Sequence, residues 1–116
     1  MNDTTATVGS LKELMAGFVA ARAWEPFHDP KNLSASIAIE AAELMEHFQW
    51  LRSEELDAVL NDPNAMGAIR EELADILAYV LSFATRMQID LSAALEEKMQ
   101  KNAEKYPVNR YRGRFK

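Results

Sequence analysis

An all-α fold, a bundle of four to five helices, is what this sequence predicts, and three observations predict it. Apolar residues recur at intervals of three and four through most of the chain, the pattern of one buried face on each helix. No stretch alternates apolar and polar residues as a half-buried strand would. Breaks fall at Pro26, Pro30, Asn61-Asp62-Pro63, Asp90 and Pro107, where proline or a capping side chain stops or starts a helix.

The elements follow from those breaks. Leu11, Leu14, Met15, Phe18 and Val19 give a first amphipathic helix over about residues 9–23. Trp24-Glu25-Pro26-Phe27-His28-Asp29-Pro30 is an aromatic loop that cannot be continuous helix. Asn32 or Ser34 is the expected cap of a second helix reaching about Leu51, and Ser53 opens a short third segment to about Leu60. Asp62, with Pro63 at the first helical position, starts a long helix to about Gln88; Asp90 starts the last, ending near Tyr106 at Pro107. The chain reads as one domain over 1–116, with 1–8 and 108–116 as loose ends.

Composition narrows the classes. At 116 residues and 48% apolar content there is material for one modest core. No cysteine is present, so neither a disulfide framework nor a thiolate zinc site is available. With no basic leader and no apolar run long enough for a bilayer, a soluble cytoplasmic protein is expected. The net charge of −5 is unevenly spread: residues 98–116 hold seven lysines or arginines against Glu104 alone. An acidic body argues against a nucleic-acid polymer as partner. The basic tail reads either as solvated helix and frayed terminus, or as Lys101 and Lys105 leaning over a site to neutralise phosphates.

Two acidic pairs hold the chemistry: Glu40-Ala-Ala-Glu43 on the second helix and Glu72-Leu-Ala-Asp75 on the long one. Residues three apart project from nearly one helix face, with Cβ atoms about 5–6 Å apart. Ser36, His47 and Trp50 extend the face of Glu40 and Glu43, and Tyr79 extends that of Glu72 and Asp75. A single such pair is common on solvated helices. Here Glu40 and Glu43 have no basic residue within four positions and sit among Ile37, Ile39, Leu44 and Met45, so their mutual repulsion calls for a cation. Oxygen-only ligands favour Mg²⁺, with Mn²⁺ as a substitute, over Zn²⁺. A di-iron carboxylate bundle is disfavoured, because it needs Glu-x-x-His on two helices and neither His28 nor His47 provides it.

The long helix also predicts assembly. About 25 residues at 1.5 Å each span roughly 37 Å, more than a small four-helix protomer needs. Ile69, Leu73, Ile76, Leu77, Val80, Leu81, Phe83 and Met87 cover more than one stripe of it, so part must face another copy. A homodimer or homotetramer is expected. The rival to an enzyme is a non-enzymatic helical oligomerisation or regulatory module, with the acids paired across an interface by Arg22, Arg70 or Arg86.

In order along residues 11–107, the chain carries Ala21-Arg-Ala-Trp-Glu25, Phe27-His-Asp-Pro-Lys-Asn-Leu33, Glu40-Ala-Ala-Glu43 running into Phe48-Gln-Trp50, Glu71-Glu-Leu-Ala-Asp75 with Tyr79, and Lys98-Met-Gln-Lys-Asn102 before Lys105-Tyr-Pro107. This ordered set resembles the MazG-like all-α nucleoside triphosphate pyrophosphohydrolases, dCTP pyrophosphatase branch. The resemblance implies the all-α NTP pyrophosphatase type of bundle. It also implies Mg²⁺-dependent hydrolysis of a nucleoside triphosphate between its α- and β-phosphates, dCTP or a modified pyrimidine deoxynucleotide being the expected substrate. Glu40, Glu43, Glu72 and Asp75 would hold the metal, and either Glu40 or Glu43 would take a proton from water. Lys101, Asn102, Lys105 and Tyr106 match positions near the phosphates. Trp24 and Trp50 match positions lining the nucleobase pocket, with Phe27, His28 and Tyr79 completing its wall, although each aromatic also has a plain packing reading. Met15 stands where some members of the branch carry histidine.

Overall fold

A computed structural model describes all 116 residues. The chain is helical throughout, without strands: α1 (Val8–Ala21), α2 (Pro30–Glu46), α3 (Leu56–Leu60), α4 (Pro63–Arg86), α5 (Leu91–Lys105) and α6 (Val108–Tyr111). None of the helices is long and apolar enough to cross a membrane.

Each long helix begins on a side-chain cap that satisfies backbone donors left over in its first turn. Thr7 and Ser10 cap α1 reciprocally. Asp62 accepts from the Asn64 and Ala65 N–H groups with Pro63 in the first turn of α4, and Asp90 accepts from Ala93 in α5. The second helix differs from expectation at both ends. Asp29, rather than Asn32 or Ser34, caps α2 by accepting from the Asn32 N–H, and Pro30 lies inside the first turn. Proline there costs nothing, because its missing N–H would have had no helical partner. At the other end the ladder tightens: the His47 N–H bonds the Leu44 carbonyl at 3.3 Å and the Phe48 N–H that of Met45 at 3.0 Å. These shorter-range bonds end α2 at Glu46, so that Trp50 falls in the turn beyond the helix that carries Glu40 and Glu43. The C-terminal segment contains the short helix α6, with Tyr106 and Tyr111 in edge-to-face contact at 5.2 Å.

The main packing runs along α2 and α4, with α1 on another side of α4 and α3 near its start; α5 packs on none of them to a similar extent. Val19, Leu33, Leu81 and Ala84 are the fully buried residues, one or two from each of α1, α2 and α4. The rest of the apolar surface is only partly covered. Leu73 and Leu77 on α4 and Leu95 and Met99 on α5 are exposed. The radius of gyration is 17.4 Å, against about 13 Å for a compact chain of this length.

Candidate active site

The α2–α4 pair brings the two acidic motifs together. One carboxylate oxygen from each of Glu40, Glu43 and Glu72 lies within 4.8 Å of the others. Three acceptor-only groups at this separation repel one another strongly, unless a cation or a shared proton intervenes. No base supplies the charge: the ion pairs of the chain join Arg52 to Glu54 and Glu55. Oε2 of Glu40 and Oε2 of Glu72 are both buried without a hydrogen-bond donor. These surroundings favour the protonated form of Glu40, whose pKa is raised from 4.5 to about 7. The largest cause is a hydrogen bond that Glu40 can donate to Glu72 only when protonated, followed by one to Glu43, burial, and the charges of Glu43 and Asp75. Donorless, converging carboxylate oxygens are the donor set that a hard divalent cation takes, so the residues present fit such a cation.

Asp75, the fourth predicted acid, stands outside that set of three but close enough for its charge to act on Glu40. It lines the neighbouring cavity of about 350 Å³, together with Met15, Phe18, Trp24, His28 and Tyr79. Glu72, Asp75 and Tyr79 follow one another on one face of α4, so the acid cluster and the aromatic cavity are parts of one surface.

The aromatic wall is built by a helix end. Ala23 takes a left-handed conformation with φ 52°, and the Ala23 and Trp24 N–H groups bond the Ala20 and Val19 carbonyls at 3.0 and 3.1 Å. This reversal closes α1 and folds Trp24 back over it. The Trp24 ring meets Phe18 edge-to-face at 5.8 Å and stacks with His28 at 6.5 Å, and His28 meets Tyr79 at 6.4 Å. Arg22 lies over the outer face of Phe18, 3.6 Å from the ring centre. Phe18 was legible only as part of the apolar stripe of the first helix. Its spacing of three from Met15, on a helix that also carries the turn to Trp24, is the signal that could have placed it in the cavity.

Other expected site residues lie elsewhere in the single chain. Phe27 is exposed and lines neither the acid cluster nor the cavity; its carbonyl accepts a hydrogen bond from Asn32. Trp50 is 84% exposed. Lys101, Asn102, Lys105 and Tyr106 sit on α5 and its C-cap, away from the cavity lining, with Asn102 bonded to the Met99 sulfur and Lys105 set over the Tyr106 ring.

An all-helical protein with carboxylates from two packed helices beside an aromatic cavity is a class that known relatives define further. The MazG-like family model matches residues 35–114, and the chain belongs to the MazG-like family. It is 41% identical over 107 residues to dCTP pyrophosphatase 1 of Bos taurus and 38% identical over 103 residues to dCTP pyrophosphatase 1 of Homo sapiens. These matches cover 92% and 89% of this chain but 63% and 61% of the relatives, so the chain spans less than two thirds of their length. The crystal structure of a pyrophosphatase from Archaeoglobus fulgidus superposes with a TM-score of 0.81 at 39% identity, covering 92% of this chain and 98% of the other.

Proposed function

We propose that the protein is a Mg²⁺-dependent pyrophosphohydrolase that cleaves dCTP or a modified pyrimidine deoxynucleoside triphosphate to the monophosphate and pyrophosphate. The observation that carries this reading is the continuity of acids and aromatics along α4. Glu72 belongs to the carboxylate cluster, Asp75 lines the cavity beside it, and Tyr79 meets the His28 ring, which in turn stacks with Trp24. A triphosphate bound here would have its base among flat rings and its phosphates over the acids. The naming of the mammalian relatives as dCTP pyrophosphatases supports the same reading.

The residues suit the chemistry. Glu40, Glu43, Glu72 and Asp75 are the ligands available to Mg²⁺ or Mn²⁺, which when bound neutralises phosphate charge and favours deprotonation of a water. Water attacks the α-phosphorus, the α–β bridging oxygen leaves with pyrophosphate, and Glu40 or Glu43 accepts the water's proton. Trp24, His28 and Tyr79, with Met15 and Phe18, enclose the base by stacking and apolar contact. Lys101, Asn102, Lys105 and Tyr106 provide ammonium, amide and phenol donors for the phosphates. The exposed apolar positions of α4 and α5 support a homodimer or homotetramer, in which a second copy also covers Trp50 and holds α5.

The test is a panel of canonical and modified nucleoside triphosphates assayed for pyrophosphate release with Mg²⁺. Turnover is expected to be highest for a pyrimidine deoxynucleotide. Release of inorganic phosphate alone, or no turnover of any member, would remove the proposal in favour of a binding module.

A further inference from the structure

A second cavity, of about 270 Å³, is lined by Val19, His28, Ser82 and Thr85 and by the charged Glu25 and Arg86, among others. His28 lines both cavities. It is therefore the residue shared by the aromatic cavity and this second one.

Two buried side-chain atoms in this region have no hydrogen-bond partner, Nδ1 of His28 and Oγ of Ser82. Ser82 follows Tyr79 by one helical step of three, so it stands on the face of α4 whose aromatic ring meets His28. A helical serine commonly returns its hydroxyl proton to a carbonyl one turn earlier. Ser82 makes no such bond, and its proton is free to be given elsewhere. A cavity of this size admits water, and two polar atoms left without partners are the kind of site at which a buried water is held.

Resting on the nucleotide reading above, we infer that Ser82 is a positioning residue for base recognition. Through one bridging water, its hydroxyl supplies a proton to Nδ1 of His28 and so holds the ring in the tautomer that carries hydrogen on Nε2. In neutral imidazole one nitrogen accepts while the other donates, so the partner of the first fixes the role of the second. His28 then presents a donor to the aromatic cavity. That donor matches an acceptor on a pyrimidine, a ring carbonyl or an unprotonated ring nitrogen, and opposes an exocyclic amine. Met15, which cannot form such a bond, leaves His28 as the imidazole of this pocket.

The experiment uses ¹⁵N-histidine spectra of the full chain, where His28 and His47 are the histidines present and His47→Gln assigns them. In the parent protein His28 is expected as the Nε2-protonated tautomer. Ser82→Ala should mix the two tautomers, and Ser82→Thr, which keeps the hydroxyl, should restore the parent pattern. In kinetics, Ser82→Ala should raise KM for the preferred pyrimidine triphosphate about five- to tenfold with kcat within about twofold, the size of one lost neutral hydrogen bond. Unchanged His28 resonances in Ser82→Ala overturn the inference, as does a KM that stays constant or rises equally for purine triphosphates. A parent protein that turned over no triphosphate would defeat the enzymatic reading and the base-reading role together, while the spectra would still decide whether Ser82 sets the ring.

Discussion

The α2–α4 pair and α5 differ in how much of their structure one chain completes. Along α2 and α4 the packing is continuous, Leu33 is 1% exposed, and three glutamates converge. On α5 the apolar positions Leu91, Leu95 and Met99 lie at helical spacing, yet Leu95 and Met99 are 63% and 53% exposed. One chain therefore assembles the acid cluster by itself, whereas the basic residues proposed to meet the phosphates sit on a helix whose apolar stripe that chain leaves exposed.

The largest effect is expected at the acid cluster. Glu43→Gln keeps the shape of the side chain and removes its charge, so helicity and assembly should be retained while turnover falls about 10²–10⁴-fold. Near-parental turnover would falsify the assignment of the cluster to catalysis. Stability should follow the packing contrast. Leu33→Ala removes the best-buried leucine and should cost about 2–5 kcal/mol in denaturant unfolding, at any protein concentration. Met99→Asp should leave the helical content of the protomer in place but shift the protein toward monomer in size-exclusion chromatography with light scattering. A monomeric parent would remove the expected interface.

How legible this contrast was in the sequence depends on the range of the forces involved. The acid pairs were legible because three-residue spacing is a local rule, and Glu40, Glu43 and Glu72 indeed meet. The starts of α4 and α5 were legible for the same reason, since Asp62 and Asp90 act within their own first turns. The start of α2 was misplaced because Pro30 breaks a helix in its interior but opens one at its first position, and only the Asp29 side chain decides which. Nor could spacing show that α2 would end at Glu46, because the tightened turn over His47 and Phe48 depends on bonds that no periodicity records. Phe27 and Trp50 were aromatic residues near the right motifs. Neither lines the cavity, and which aromatics do is decided by tertiary packing.

Cation binding should act on the acid cluster itself. Glu40 is held at about 7 in the folded chain against 4.5 otherwise, so the folded state binds the proton more tightly than the unfolded one. That contribution to stability is complete below about pH 4.5 and is lost as pH rises through about 7. Without a divalent cation, the melting temperature should therefore fall across this window. Mg²⁺ competes with the same proton, so its affinity should rise with pH up to about 7 and then level off. At 100 times its dissociation constant it should add about 2.7 kcal/mol of stability. A flat melting temperature between pH 5 and 8 in the cation-free protein, with no response to Mg²⁺, would mean that the glutamates are solvated rather than poised for a metal.

The smallest expected effect concerns the turn that aims Trp24. Ala23 adopts φ 52°, a conformation costing a residue with a Cβ roughly 1–2 kcal/mol, whereas glycine enters it freely but brings about 0.5–1 kcal/mol more backbone entropy in the unfolded chain. The two terms nearly offset, and Ala23→Gly should stabilise the protein by about 0.5 kcal/mol. Because the bonds that close the turn come from backbone groups of Val19 and Ala20, Trp24 should keep its place against Phe18 and the KM for substrate should not change. The gain should also be independent of protein concentration, unlike any change on α5, since this turn is closed within one chain. A rise in KM would show instead that the strained alanine, and not the carbonyls behind it, fixes the ring proposed to stack on the base.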